Sequence, residues 1–101
     1  MSNRARLNED EITAALVALP QWTREGDSIF RTADAPDFPA AIRVVVAVAE
    51  QAEALDHHPD IDVRWRTLRF VLSTHSASGL TGLDFSLAAR IDEALRAESA
   101  A

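Results

Sequence analysis

Apolar residues recur along the chain in two periods, and the changes of period divide it into seven elements. Ile12, Leu16 and Leu19 share one face at helical spacing. Asn8 stands where an N-cap belongs, Glu11 completes a capping-box pair, and Leu7 and Ile12 flank the cap as a hydrophobic staple would. Pro20 ends this helix. Residues 21–25 and 28–32 are short β-compatible runs around Gly26-Asp27, a two-residue hairpin signal. The first run is polar apart from Trp22, which predicts an edge strand.

Asp37 caps a second helix with Pro39 in its first turn. Phe38, Ile42, Val45, Val48 or Ala49, Ala52 and Leu55 form its apolar stripe, widened by Val44 and Val46. β-Branched residues are mediocre helix formers, so burial has to hold this element. A face this broad has room for the sheet and for a second copy of the chain, which predicts a homodimer or homotetramer. The helix must end before Pro59.

Ile61, Val63 and Trp65 alternate with Asp62, Arg64 and Arg66 as in a half-buried strand. Leu68, Phe70 and Leu72 alternate with Arg69, Val71 and Ser73, with Arg66-Thr67 as the expected turn and His75 on the parity facing away from the core. Residues 76–80 read as a loop in which Gly79 is free to take a positive φ. Thr81 and Asp84 form a second capping box, and Leu83, Leu87, Ile91 and Leu95 stripe the last helix. Residues 1–6 and 97–101 are expected to be loose tails around one domain spanning 1–101. The order is α-β-β-α-β-β-α. Two hairpins imply a four-stranded, mainly antiparallel sheet with three helices on one face: an α+β two-layer domain. Both tryptophans, Trp22 and Trp65, are expected to pack in the core or on the sheet.

Composition narrows the classes. A chain of 101 residues, 48% apolar, suits one core of modest stability that oligomerisation would help. There is no cysteine, hence no disulfide, thiolate nucleophile or cysteine-bound zinc. The net charge of −6 disfavours general nucleic-acid binding, and Arg64, Arg66 and Arg69 read as a solvated strand face. The polar first ten residues lack a signal core, and the longest apolar run, 44–49, is too short for a bilayer. The expectation is a soluble, cytoplasmic protein with no membrane association.

The chemistry concentrates in Asp56-His57-His58-Pro59 and Thr74-His75, which hold every histidine of the chain. Imidazole, with an ordinary pKa of about 6.5, exchanges protons at neutral pH. His57, His58 and His75 around one cleft could pair a protonated donor with a neutral acceptor, as addition or elimination of water requires. Alternatively, the three imidazoles with Asp56 or Asp84 could ligate zinc, although no histidine lies at i+4. Or the histidines are structural, satisfying the carbonyls at a helix end and capping a strand. Glu53 could equally be a solvated helix residue and Asp84 only a capping one.

The spaced set Glu53-x3-His57-His58-Pro59, Trp65, Ser73-Thr74-His75 and Gly79-Leu80-Thr81-x-x-Asp84 resembles the signature of pterin-4a-carbinolamine dehydratases. The element order and Trp22 at the first strand agree with it across the chain. The resemblance implies dehydration of 4a-hydroxytetrahydropterin to quinonoid dihydropterin with no cofactor and no metal. It places the catalytic histidines at His57, His58 and His75. His57 and His75 would be the acid–base pair, and His58 would orient the pterin. Glu53, Asp56, Trp22, Ser76 and Asp84 would line the substrate site. It also implies, for some members, a second life as partners of a transcription factor. Three positions depart from the family pattern: Ser76 where an acidic residue is frequent, Ser78 where two glycines often run together with Gly79, and the Arg66-Thr67 turn.

Overall fold

The computed structural model describes residues 4–99. Its elements are α1 (Glu9–Val17), β1 (Thr23–Glu25), β2 (Ser28–Asp34), α2 (Phe38–Leu55), β3 (Asp60–Arg64), β4 (Thr67–Leu72) and α3 (Gly82–Ser99), with a 3-10 turn, His75–Ala77, before α3. The sheet is antiparallel throughout, in the order β1-β2-β4-β3. The expected α+β architecture and element order are thus the observed ones.

Register explains the core. Ile29, Arg31 and Ala33 of β2 face Leu72, Phe70 and Leu68 of β4 across the ladder, so all six share one side. Ile29, Leu68, Phe70 and Leu72 are completely buried there. Burying each such side chain contributes about 1.5–3 kcal/mol. The helices close over this side with Ile12 of α1, Val44 and Val48 of α2, and Leu87, Ile91 and Leu95 of α3. Each α3 stripe residue lies where its period predicts.

The first cap also forms as expected. Asn8 Oδ1 accepts from the Glu11 N–H and Glu11 Oε1 accepts from the Asn8 N–H, both at 2.9 Å. At the first hairpin Glu25 pairs with Ser28, which leaves Gly26-Asp27 as the loop. Gly26 has φ +59°, a position open to glycine at no steric cost.

Five expectations change. The buried face of α2 runs through Ala40, Ala41, Val44, Val48 and Ala52. Phe38, Ile42, Val46 and Ala49 lie outside it. Small residues let the helix approach its neighbours closely; Val45 and Leu55 of the expected stripe pack partly buried against the core, while Phe38, Ile42 and Val46 point outward. The second hairpin turns at Trp65-Arg66 instead of Arg66-Thr67, because Thr67 joins the ladder opposite Arg64 and bonds Asp34 Oδ1 at 2.7 Å. Trp65 takes φ +55° at the tip and is 71% exposed, so it packs neither in the core nor on the sheet. β3 is an edge strand whose only partly buried residue is Ile61, less than the half-buried strand its alternation predicts. The tails are shorter than expected: Arg6 bridges Thr81, and α3 continues through Ser99. Residues 1–3 and 100–101 lie outside the described residues. No described helix is long and apolar enough to cross a membrane.

Candidate active site

The end of α2 delivers the first two histidines. Asp56 adopts the left-handed conformation, φ 50° and ψ 47°. Its N–H donates to the Glu53 carbonyl at 3.2 Å, and the His57 N–H donates to the Ala52 carbonyl at 3.0 Å. These nested bonds form a Schellman motif, which reverses the chain and tucks His57 under the helix end. His57 is 7% exposed, while His58, next in sequence, points to solvent. Adjacent residues therefore reach two environments from one turn.

Asp84 organises the buried side. It stands in the first turn of α3 and is 0% exposed. Its Oδ2 accepts from the Thr81 N–H at 2.9 Å and from the Thr74 hydroxyl at 2.7 Å. Its Oδ1 lies 2.6 Å from His57 Nε2. The Thr74 hydrogen is committed to Asp84, so the Thr81 hydroxyl donates to Thr74 Oγ1, 2.9 Å away. The Leu83 N–H in turn donates to Thr81 Oγ1 at 3.3 Å. Donor counting then sets the imidazole. A carboxylate accepts only, so His57 donates from Nε2–H and Nδ1 is left to take or give the mobile proton.

The third histidine arrives on a different element from the one its parity suggests. β4 stops at Leu72, and Thr74 pairs with Gly79 in an isolated bridge. His75 opens the 3-10 turn held inside that bridge, its ring exposed and free of hydrogen bonds among the described residues. Ser78 supplies the positive φ of this loop, +54°; Gly79 does not. Ser76 lies exposed in the same turn. Thr74, directly before His75, shares the Asp84 carboxylate with His57, so one buried group ties both histidine segments together.

The other expected site residues divide. Glu53 Oε2 pairs with His58 Nε2 on the exposed side. Asp56 is exposed beside Arg4, whose Nη2 donates to the Asp56 carbonyl at 3.3 Å. Trp22 is placed elsewhere: its buried Nε1–H donates to Asp92 Oδ1 at 2.8 Å, and Arg31 Nη1 donates to the same oxygen at 2.6 Å. Asp92 is eight residues beyond Asp84 on α3, about 12 Å along the helix axis. Among the described residues no group of three or more histidine, aspartate or glutamate side chains is placed to hold a metal ion.

Sequence reasoning assigned Thr74 no part in this site. The signal was present: Thr74 continues the parity of Leu68, Phe70 and Leu72, so it faces inward, where a hydroxyl needs a partner. Asp92 was missed too, although it adjoins the buried Ile91.

Such an arrangement suits proton transfer. One imidazole is fixed by a carboxylate from behind, a second is solvent-facing with its own carboxylate, and a third stands exposed on a short turn.

Residues 5–94 match the family described as pterin 4 alpha carbinolamine dehydratase. A protein of Nocardia farcinica provisionally named pterin-4-alpha-carbinolamine dehydratase is 60% identical over 90 residues, 89% of this chain and 95% of its own. One of Roseiflexus castenholzii, with the same provisional name, is 57% identical over 89 residues, 88% of this chain and 96% of its own. A crystal structure from Brucella melitensis, described as a transcriptional coactivator/pterin dehydratase, superposes with a TM-score of 0.86 at 34% identity, covering 89% of this chain and 98% of that one. A pterin dehydratase-like protein described as a RuBisCO assembly factor shares the fold, with a TM-score of 0.61 at 16% identity over 73% of this chain and 86% of that one.

Proposed function

The chain belongs to the pterin 4 alpha carbinolamine dehydratase family, and from that premise we propose that it removes water from 4a-hydroxytetrahydropterin. The C4a–O bond breaks, the N5 proton leaves, and a C4a=N5 double bond forms in the quinonoid dihydropterin. The leaving hydroxyl takes a proton and departs as water, so the reaction needs only a positioned acid and a positioned base. His57, through Nδ1, and His75 are the pair that exchanges these protons. His58, oriented by Glu53, holds the pterin, with Asp56 and Ser76 at the rim. Asp84 acts from behind His57, since no part of it reaches solvent. Trp22 belongs to the Asp92 cluster in this reading rather than to the pocket. No metal or cofactor takes part.

The observation that carries the proposal is the fixed His57–Asp84 pair, joined through Thr74 to the His75 segment. It is tested by following dehydration of freshly generated 4a-hydroxytetrahydropterin by the purified protein with a chelator present. An acceleration over buffer that survives the chelator supports it, and a folded protein without acceleration rejects it.

The cytoplasm is the proposed compartment. A homodimer or homotetramer is the proposed assembly, supported by the exposed Phe38, Ile42 and Val46 on the outer side of α2. That same face, with the coactivator half of the Brucella protein's description, favours a second reading: a coactivator or dimerisation module. A module of that kind would tolerate loss of His75 but not a charge at Val46.

A further inference from the structure

The segment before α1 touches both histidine-bearing stretches. Arg4 Nη2 donates to the carbonyl of Asp56, the residue before His57, at 3.3 Å, and stands 3.7 Å from Asp56 Oδ2. Two residues on, Arg6 pairs with Thr81 in an antiparallel bridge, and the Leu7 N–H donates to the Leu80 carbonyl at 2.8 Å. The Arg6 side chain lies against Gly79: a methyl group there would stand 2.9 Å from Arg6 Nε and 3.3 Å from Arg6 Cδ. Gly79 closes the bridge to Thr74 that brackets the His75 turn, with Thr74 N to Gly79 O at 3.0 Å. Because φ at Gly79 is not in the left-handed region, backbone freedom does not explain this glycine. Room for Arg6 does.

We propose that residues 4–7 are a positioning strap, which holds the His57 and His75 segments at their working separation from the solvent side, as Asp84 does from the core. The kinetic part of this proposal rests on the dehydratase reading of the site; the geometric part does not. Arg4 and Arg6 are positioning residues and need touch no substrate. A shift of about 1 Å between acid and base is enough to cost up to about a hundredfold in rate.

The test uses the full chain and the variants Arg6→Ala, Arg6→Lys, Gly79→Ala and the double variant Arg4→Ala/Arg6→Ala. Histidine-ring NMR signals, thermal midpoint, kcat and KM for 4a-hydroxytetrahydropterin are measured on each. The expected result is displaced His75 and His57 ring signals in the double variant, with kcat down roughly tenfold, and a smaller displacement of the His75 signal alone in Gly79→Ala, where the Arg6 side chain can move aside. KM should stay within about twofold and the thermal midpoint nearly unchanged, and Arg6→Lys should recover most of the rate by restoring the stem over Gly79. Unmoved ring signals overturn the strap, whatever the activity. So do displaced signals with an unchanged kcat, or a rate loss matched by a large fall in the thermal midpoint. Displaced ring signals in a protein whose wild type shows no dehydration would sink the dehydratase reading and leave the geometric claim standing.

Discussion

His57 Nε2 lies 2.6 Å from Asp84 Oδ1, and neither side chain has appreciable contact with solvent. The same carboxylate takes the Thr74 hydroxyl and the Thr81 N–H on its other oxygen. A helix cap and a histidine anchor are thus one group, which couples the start of α3 to the end of α2.

Replacing Asp84 with Asn tests that coupling. The amide oxygen can keep the Thr74 and Thr81 donors, but its NH2 then faces His57 Nε2, so either two donors oppose each other or the ring takes the opposite tautomer. Stability should fall by about 1–3 kcal/mol. The dehydration rate should fall further than stability explains, by roughly a hundredfold or more, because the His57 tautomer is no longer imposed. Calorimetry and single-turnover kinetics check the two parts separately. A variant of normal rate would remove Asp84 from the catalytic account.

Thr74 is tested by its two neighbours in shape. Thr74→Val keeps the volume and deletes the hydroxyl, leaving Asp84 and Thr81 each short of a partner; a loss of about 1–3 kcal/mol is expected. Thr74→Ser keeps the hydroxyl and should retain most of the stability and most of the rate. Equal behaviour of the two in denaturant titrations and kinetics would mean that the hydroxyl network is idle.

Much of this was legible in the sequence, and the failures have physical causes. The capping box at Asn8 and the stripe Leu83, Leu87, Ile91 and Leu95 follow period and cap chemistry, and the structure keeps them. Asp84 was readable as a cap, and the same position makes it the anchor of His57. α2 misled because apolar residues surround most of it. Period alone cannot tell a face of alanines that packs closely from a face of Phe38, Ile42 and Val46 that stays outside. The second turn was misread because Trp65 carries a positive φ with no glycine or asparagine to announce it. His75 was misplaced because β4 ends earlier than the alternation of residues, which runs on past Leu72.

Ser78 holds φ +54° with a side chain, in the loop that carries His75. The left-handed conformation costs a non-glycine residue roughly 1–2 kcal/mol, part of which glycine gives back as unfolded-state entropy. Ser78→Gly should therefore stabilise the chain by about 0.5–1 kcal/mol. Chemical denaturation of the pair measures it, and a destabilised variant would mean that the Ser78 side chain contributes a contact worth more than the strain.

Away from the site, the hydrogen bond from Arg24 holds the Glu9 carboxyl below its ordinary value of 4.5, with the guanidinium charge adding to it. A lowered folded-state value means that the unfolded chain binds the proton more readily. The pair's contribution is present at neutral pH and is lost as pH falls below about 4.5 through the lower folded value. Glu9 is exposed and Arg24 only half-buried, so the effect is small and sensitive to salt. The stability gap between wild type and Glu9→Gln should narrow to nothing in acid. A gap that persists at pH 2 would assign it to something other than the charge.

The most direct test of histidine acid–base chemistry is the dehydration rate of 4a-hydroxytetrahydropterin from pH 5 to 9, for wild type and for His75→Ala. Acid–base histidines predict a wild-type rate that depends on pH, and a variant slower by about a hundredfold or more. A fully folded His75→Ala protein that matches the wild-type rate across the whole range would contradict it.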